Sequence, residues 1–181
     1  VMRALHRVIR RFLLLGYPSM DTHHVRSQVL IATVKEVSSF VLSHFLDPNF
    51  TKRIKEDGSI VTSIDCEAEE MAKGIILSRF PDDSILGEES GACEGTSSYR
   101  WVIDPIDGTA SFARGVPIFG TQIGLECCGE PITGVIAMPA TGDFIYAMKG
   151  AGAFHNELPC KMSEQSLLDK LMVSTTSYDY F

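Results

Sequence analysis

The sequence predicts an α+β domain. Three observations carry this: two early stretches with helical apolar spacing, a change to strand-like alternation after Pro81, and short turns between the later strands. A chain of 181 residues, 45% hydrophobic and 22% charged, can bury one sizeable core.

From about Asp21 to Leu46, the residues Leu30, Val34, Val37, Val41 and Phe45 recur at helical spacing. Asp21 or Thr22 is the expected start cap, and Asp47-Pro48-Asn49 the stop. Lys52 to Ser59 reads as a polar connection, and Ile60-Val61 as a short strand end. Thr62-Ser63 then open a second helix, with Asp65 and Glu67 in the first turn, where the helix dipole favours acids. Its expected inner face is Ala68, Met71, Ala72, Ile75 and Phe80, and Pro81 closes it. Strands are expected at Ser84-Ile85-Leu86, Arg100 to Ile103, Gly120 to Cys127, Ile132 to Met138 and Phe144 to Met148. Turns at Gly129-Glu130-Pro131 and Ala140 to Asp143 favour an antiparallel meander. Leu171 to Ser174 reads as one more strand. In such a layered arrangement, acids at the ends of two strands gather at one edge of the sheet.

Sixteen Lys and Arg against 23 Asp and Glu give a net charge of −7, which argues against a nucleic-acid surface. It leaves room for a phosphorylated substrate, because cations reverse the field around carboxylates. No apolar run is long enough for a membrane-spanning helix, so a membrane partner is not expected. The five cysteines form no Cys-x-x-Cys pair, which suggests reduced thiols and a cytoplasmic setting. Residues 1–20 carry Arg3, Arg7, Arg10 and Arg11 and no acid. They read as a basic extension, with an organelle-targeting presequence as the alternative.

Asp104-Pro105-Ile106-Asp107-Gly108-Thr109 joins a fixed proline angle to a permissive glycine. Such a turn can aim two carboxylates and the Ile106 carbonyl at one point, the oxygen-only set that magnesium requires. If Thr109 to Phe112 starts a helix, the amides of Gly108 and Thr109 suit a phosphate. A purely structural helix-capping turn stays open beside this reading. Glu88 and Glu89 follow another apolar strand, and two strand ends bearing acids can share one or two cations. Asp65, alone, is an ordinary first-turn acid facing Thr62, and Lys55, Asp57 and Ser59 are ordinary loop residues. An EF-hand starting at Asp104 fails, because Ile106, Ala110 and Gly115 fall on key positions. The spacing of three also differs from the two of aspartyl-nucleophile phosphatases, and no Walker loop or nucleophile elbow is present.

Lys55…Val61-Thr62-Ser63-Ile64-Asp65, Phe80-Pro81…Leu86-Gly87-Glu88-Glu89-Ser90 and Trp101 to Thr109 come in an order that resembles the inositol monophosphatase-like phosphatases. Gly150-Ala151-Gly152-Ala153-Phe154…Asn156 extends the resemblance, which covers roughly Asp21 to Ser174. It implies the N-terminal lobe of a layered αβαβα fold over residues 21–170, a helix pair on a mainly antiparallel sheet. Residues 171–181 would begin a second lobe that is largely missing. It also implies Mg2+, with Mn2+ as a substitute, bound by Glu88, Asp104, the Ile106 carbonyl and Asp107. Asp65 and Thr109 would orient the attacking water with Glu88 as a further catalytic residue, and Asp107, Gly108 and Thr109 would bind the substrate phosphate. The implied reaction is direct hydrolysis of a small phosphomonoester.

Gly115 to Leu125 and the Lys55 to Ser59 loop resemble the histidinol-phosphate phosphatase branch, whereas inositol monophosphatases usually carry aspartate where Ser59 stands. Inositol monophosphatase and bisphosphate nucleotidase are the alternative activities, and a homodimer is a candidate assembly. The family's second lobe carries a Trp-Asp motif with a further metal carboxylate, and this sequence has no Trp-Asp. A fragment, or a truncated inactive relic serving as a binding module, is therefore also an expectation.

Overall fold

The computed structural model describes residues 20–56 and 58–161. The basic extension up to residue 19, Asp57 and the strand expected at Leu171 to Ser174 lie outside the described residues.

Helix α1 (Met20–Ser43) buries Leu30, Val34, Val37 and Val41 as the spacing predicts, with Phe45 partly buried beyond its end. Asp21 and Thr22 lie within this helix and not ahead of it. The expected polar connection contains a strand, β1 (Lys52–Ile54), which pairs antiparallel with β2 (Ile60–Thr62). Helix α2 (Ser63–Arg79) starts on a capping box: the Thr62 hydroxyl accepts backbone N–H groups, while Asp65 accepts the Thr62 N–H. It ends before Pro81, which biases Phe80 to an extended backbone. Its buried face is Ile64, Asp65, Ala68, Glu69, Ala72 and Ile76, so Ile76 takes the place expected of Ile75, and two acids lie inside.

One eight-stranded sheet follows: β3 (Ser84–Gly87), β4 (Gly91–Cys93), β5 (Tyr99–Asp107), then, after the single turn α3 (Thr109–Phe112), β6 (Gly120–Cys127), β7 (Glu130–Met138), β8 (Asp143–Met148), β9 (Gly152–His155) and β10 (Leu158–Cys160). Its order is β10-β9-β8-β7-β6-β5-β3-β4, and every pair is antiparallel except β3 with β5. The β6–β7 turn is shorter than expected. Cys128 and Gly129 both take positive φ, as a two-residue hairpin turn of primed type requires.

The helices cover one face of the sheet, where Trp101, Ile103, Ile123, Leu125 and Val135 meet α1 and α2 in one core. The opposite face carries Leu86, Val102, Gly124, Ile136 and Ile145, all partly or largely open to solvent. Among the described residues no helix is long and apolar enough to cross a membrane. All five cysteines are free, and the neighbouring Cys127 and Cys128 sulfurs stand 3.9 Å apart, beyond disulfide bonding distance.

Asp83 ties helix to sheet. Its fully buried carboxylate accepts Arg26 Nε at 2.8 Å and Nη2 at 3.0 Å, the Ser97 hydroxyl at 2.6 Å and Trp101 Nε1 at 2.9 Å. The Arg26 guanidinium lies over the rings of Phe80 and Tyr99. Asp83→Asn keeps the shape but turns an N–H2 group towards donors, and is expected to cost about 1–2 kcal/mol in urea unfolding.

Candidate active site

The parallel pairing of β3 with β5 makes the site. It sets Gly87 beside Ile103 in register, so both strands deliver their acids at the same edge. Glu88 N–H donates to the Ile103 carbonyl at 3.0 Å, fixing the start of the Glu88-Glu89-Ser90 turn next to Asp104. Strand β5 continues through Asp107 with a register shift between Asp104 and Asp107 against β6. The expected turn is thus an irregular strand end followed by Gly108 in the left-handed region, φ 84°. A side chain at Gly108 would be strained there, and its Cβ would approach the Ile118 carbonyl to 3.1 Å.

Asp104 Oδ1 is buried and has no hydrogen-bond partner. Burial raises its carboxyl to about 8, helped by the neighbouring charges of Glu88, Asp107 and Asp65. Four carboxyl groups crowd this point. The Asp107 carboxylate accepts Gln122 Nε2, and Gln122 stands opposite Asp104 in the β5–β6 register. Lys55 Nζ lies 3.3 Å from Glu88 and 2.8 Å from Glu89. Burial raises the Glu89 carboxyl against the pull of Lys55.

Asp65 serves two neighbours with two oxygens. Oδ2 accepts the Thr62 N–H and hydroxyl, completing the helix cap, while Oδ1 lies 2.9 Å from the Thr109 hydroxyl. That hydroxyl is also 2.9 Å from the Ile106 carbonyl oxygen. The cap thus uses Oδ2 and leaves Oδ1 to Thr109. Burial pushes its carboxyl above the usual range, although the bonds from Thr62 and Thr109 work the other way.

Glu88, Asp104, Asp107, Asp65 and Thr109 thus come from three separate segments to one edge. They do not form a closed cage: among the described residues, no three His, Cys, Asp or Glu side chains converge on a common metal position. Glu88 has Lys55 as its partner and Asp107 has Gln122. The donor set, carboxylate and carbonyl oxygens around an orphaned buried Asp104 Oδ1, fits a hard divalent cation. The N-terminus of α3 has no side-chain cap.

Two further residues, Gln122 and Glu69, belong to this edge. Gln122 carries no signal of its own. Glu69 accepts the Glu89 and Ser90 N–H groups and lies one helical turn after Asp65, a spacing that could have placed it on the same buried face.

The inositol monophosphatase family model matches residues 23–180. A histidinol-phosphatase of Chlorobaculum parvum is 38% identical over 136 residues, which are 75% of this chain and 52% of that protein. A fructose-1,6-bisphosphatase/inositol-1-monophosphatase of Aquifex aeolicus is 36% identical over 141 residues, 75% of this chain and 53% of its own. The solved structure of a Thermotoga maritima IMPase superposes with a TM-score of 0.72 at 34% identity, covering 77% of this chain and 54% of its own. The chain spans about half the length of the curated relatives it matches. With the family model spanning most of the chain, and these relatives sharing its sequence and its fold, the chain belongs to the inositol monophosphatase family.

Proposed function

We propose that the protein to which this chain belongs is a Mg2+-dependent phosphomonoesterase, with Mn2+ as an alternative cation. The observation that carries the reading is the buried, partnerless Asp104 Oδ1, set among Glu88, Asp107 and Asp65. Glu88, Asp104, Asp107 and the Ile106 carbonyl would hold the cation or cations. When bound, these supply Lewis acidity that acidifies water and offsets charge on the phosphate.

The residues of the chain do the rest. Thr109, hydrogen-bonded to Asp65, orients a water for in-line attack and passes its proton towards the Asp65 carboxylate, whose raised affinity for protons suits a base. Water is the nucleophile: its oxygen bonds to phosphorus as the ester P–O bond breaks, the alcohol and inorganic phosphate leave, and no covalent phosphoenzyme forms. The phosphate sits against the backbone of Gly108 and Thr109, in front of Asp107.

Histidinol phosphate is the proposed substrate. The 38% identity to a protein named histidinol-phosphatase supports it, as does the Gly115 to Leu125 resemblance. Phosphate release by the product of the complete reading frame is expected to be fastest on histidinol phosphate. The comparison set is inositol 1-phosphate, fructose 1,6-bisphosphate and adenosine 3′,5′-bisphosphate. A clear preference for any of these three would replace the substrate, and no release from any of the four would sink the phosphatase reading.

A further inference from the structure

We propose that Glu69 is a positioning residue that shapes the Glu88-Glu89-Ser90 turn and so sets the cation affinity of this edge. The proposal rests on the reading of Glu88 as a cation ligand.

Glu69 is 1% exposed, on the inner face of α2. A carboxylate in the core is costly unless its oxygens are hydrogen-bonded. Here both oxygens are used: Oε2 accepts the Glu89 N–H at 2.8 Å, and Oε1 accepts the Ser90 N–H at 2.9 Å. These are successive amides at the tip of the β3–β4 hairpin, whose strands pair at Gly87 and Gly91. One carboxylate thus anchors the turn from beneath. With both oxygens engaged, Glu69 acts through the backbone beside Glu88, not as a donor itself.

Gly87 belongs to the same device. A Cβ there would overlap the Glu69 carboxylate, so the missing side chain leaves the room in which that group sits. Lys73, one turn further along α2, adds a bond of 3.2 Å from Nζ to the Ser90 hydroxyl. The opposite side of the turn is fixed by the Glu88 N–H on the Ile103 carbonyl. Glu69 is therefore the link between the helix layer and Glu88. Outer partners of this kind set metal affinity because they decide where the ligand points before the ion arrives.

The test is Mn2+ binding followed by electron paramagnetic resonance on the purified protein, with amide hydrogen exchange beside it. Glu69→Gln is isosteric but offers an N–H2 group to one of the two amide donors. It is expected to weaken Mn2+ binding about tenfold. Exchange should quicken at Glu89 and Ser90 and stay unchanged along β6. Gly87→Ala, which leaves Glu69 in place but displaces its carboxylate, should give the same pair of effects. Glu88→Gln tests the underlying reading separately, and unchanged Mn2+ affinity in that variant removes it. Weakened binding in Glu88→Gln with normal binding in Glu69→Gln overturns the positioning role alone. So does a loss in Glu69→Gln accompanied by faster exchange throughout β6, which would mark a purely structural acid.

Discussion

Asp104→Asn is expected to melt higher than the wild-type chain in the absence of divalent cations, and to lose the stabilisation that Mg2+ gives. Asp104 is held among Glu88, Asp107 and Asp65, and its carboxyl is raised from the usual 3.8 to about 8. An acid whose folded-state pKa lies above its unfolded value binds more protons when folded. Stability of the cation-free protein therefore falls as pH rises from about 4 and levels off above about 8. Asparagine removes that dependence, so its advantage is small at pH 5 and greatest near pH 8. Asp104 is only partly shielded, and screening by water reduces the gain to about 2 kcal/mol, or about 4–8 °C. In Mg2+ the order is expected to reverse, because the proposed site would bind the ion far more tightly in the wild type. Thermal melts at pH 5 and pH 8, with and without Mg2+, test the sign in each condition.

Thr109→Ala is expected to lower kcat about 10²–10³-fold in the product of the complete reading frame, with KM and Mg2+ affinity nearly unchanged. The hydroxyl bridges Asp65 Oδ1 and the Ile106 carbonyl, so its loss leaves both oxygens without their shared donor. Proton transfer by a positioned group is worth about this much and acts at the transition state. Thr109→Ser, which keeps the hydroxyl, should recover most of the turnover. Steady-state kinetics decide the matter. A rise in KM at constant kcat would mean that Thr109 seats the phosphate and does not direct the water.

The residues of this site were legible because their spacing is unusual. Asp104 and Asp107 bracket a proline and precede a glycine, and Glu88 follows a second apolar strand. The layering was legible too, since α1 buries the residues its spacing names. The parallel pairing of β3 with β5 was not, because apolar alternation is the same whichever way a neighbour runs. Yet this pairing brings Glu88 to Asp104. Strands β9 and β10 were missed for a local reason: their turn, Asn156-Glu157, takes positive φ at two residues without a glycine to signal it. Glu69 was passed over because an acid on a helix reads as solvated surface, although its spacing sets it on the face of Asp65; the two amides above it account for its burial. Ile76, in place of Ile75, follows from the same face, rotated to take in Asp65 and Glu69.

The proposed divalent-cation site is the edge formed by β3 and β5, with Asp104 at its centre. Calorimetric titration of Mg2+ into the wild-type protein and into Asp104→Asn at pH 8 tests it most directly. Saturable binding by the wild type is expected, with a loss of about 100-fold or more in the still-folded variant. Equal binding by the two proteins would contradict it.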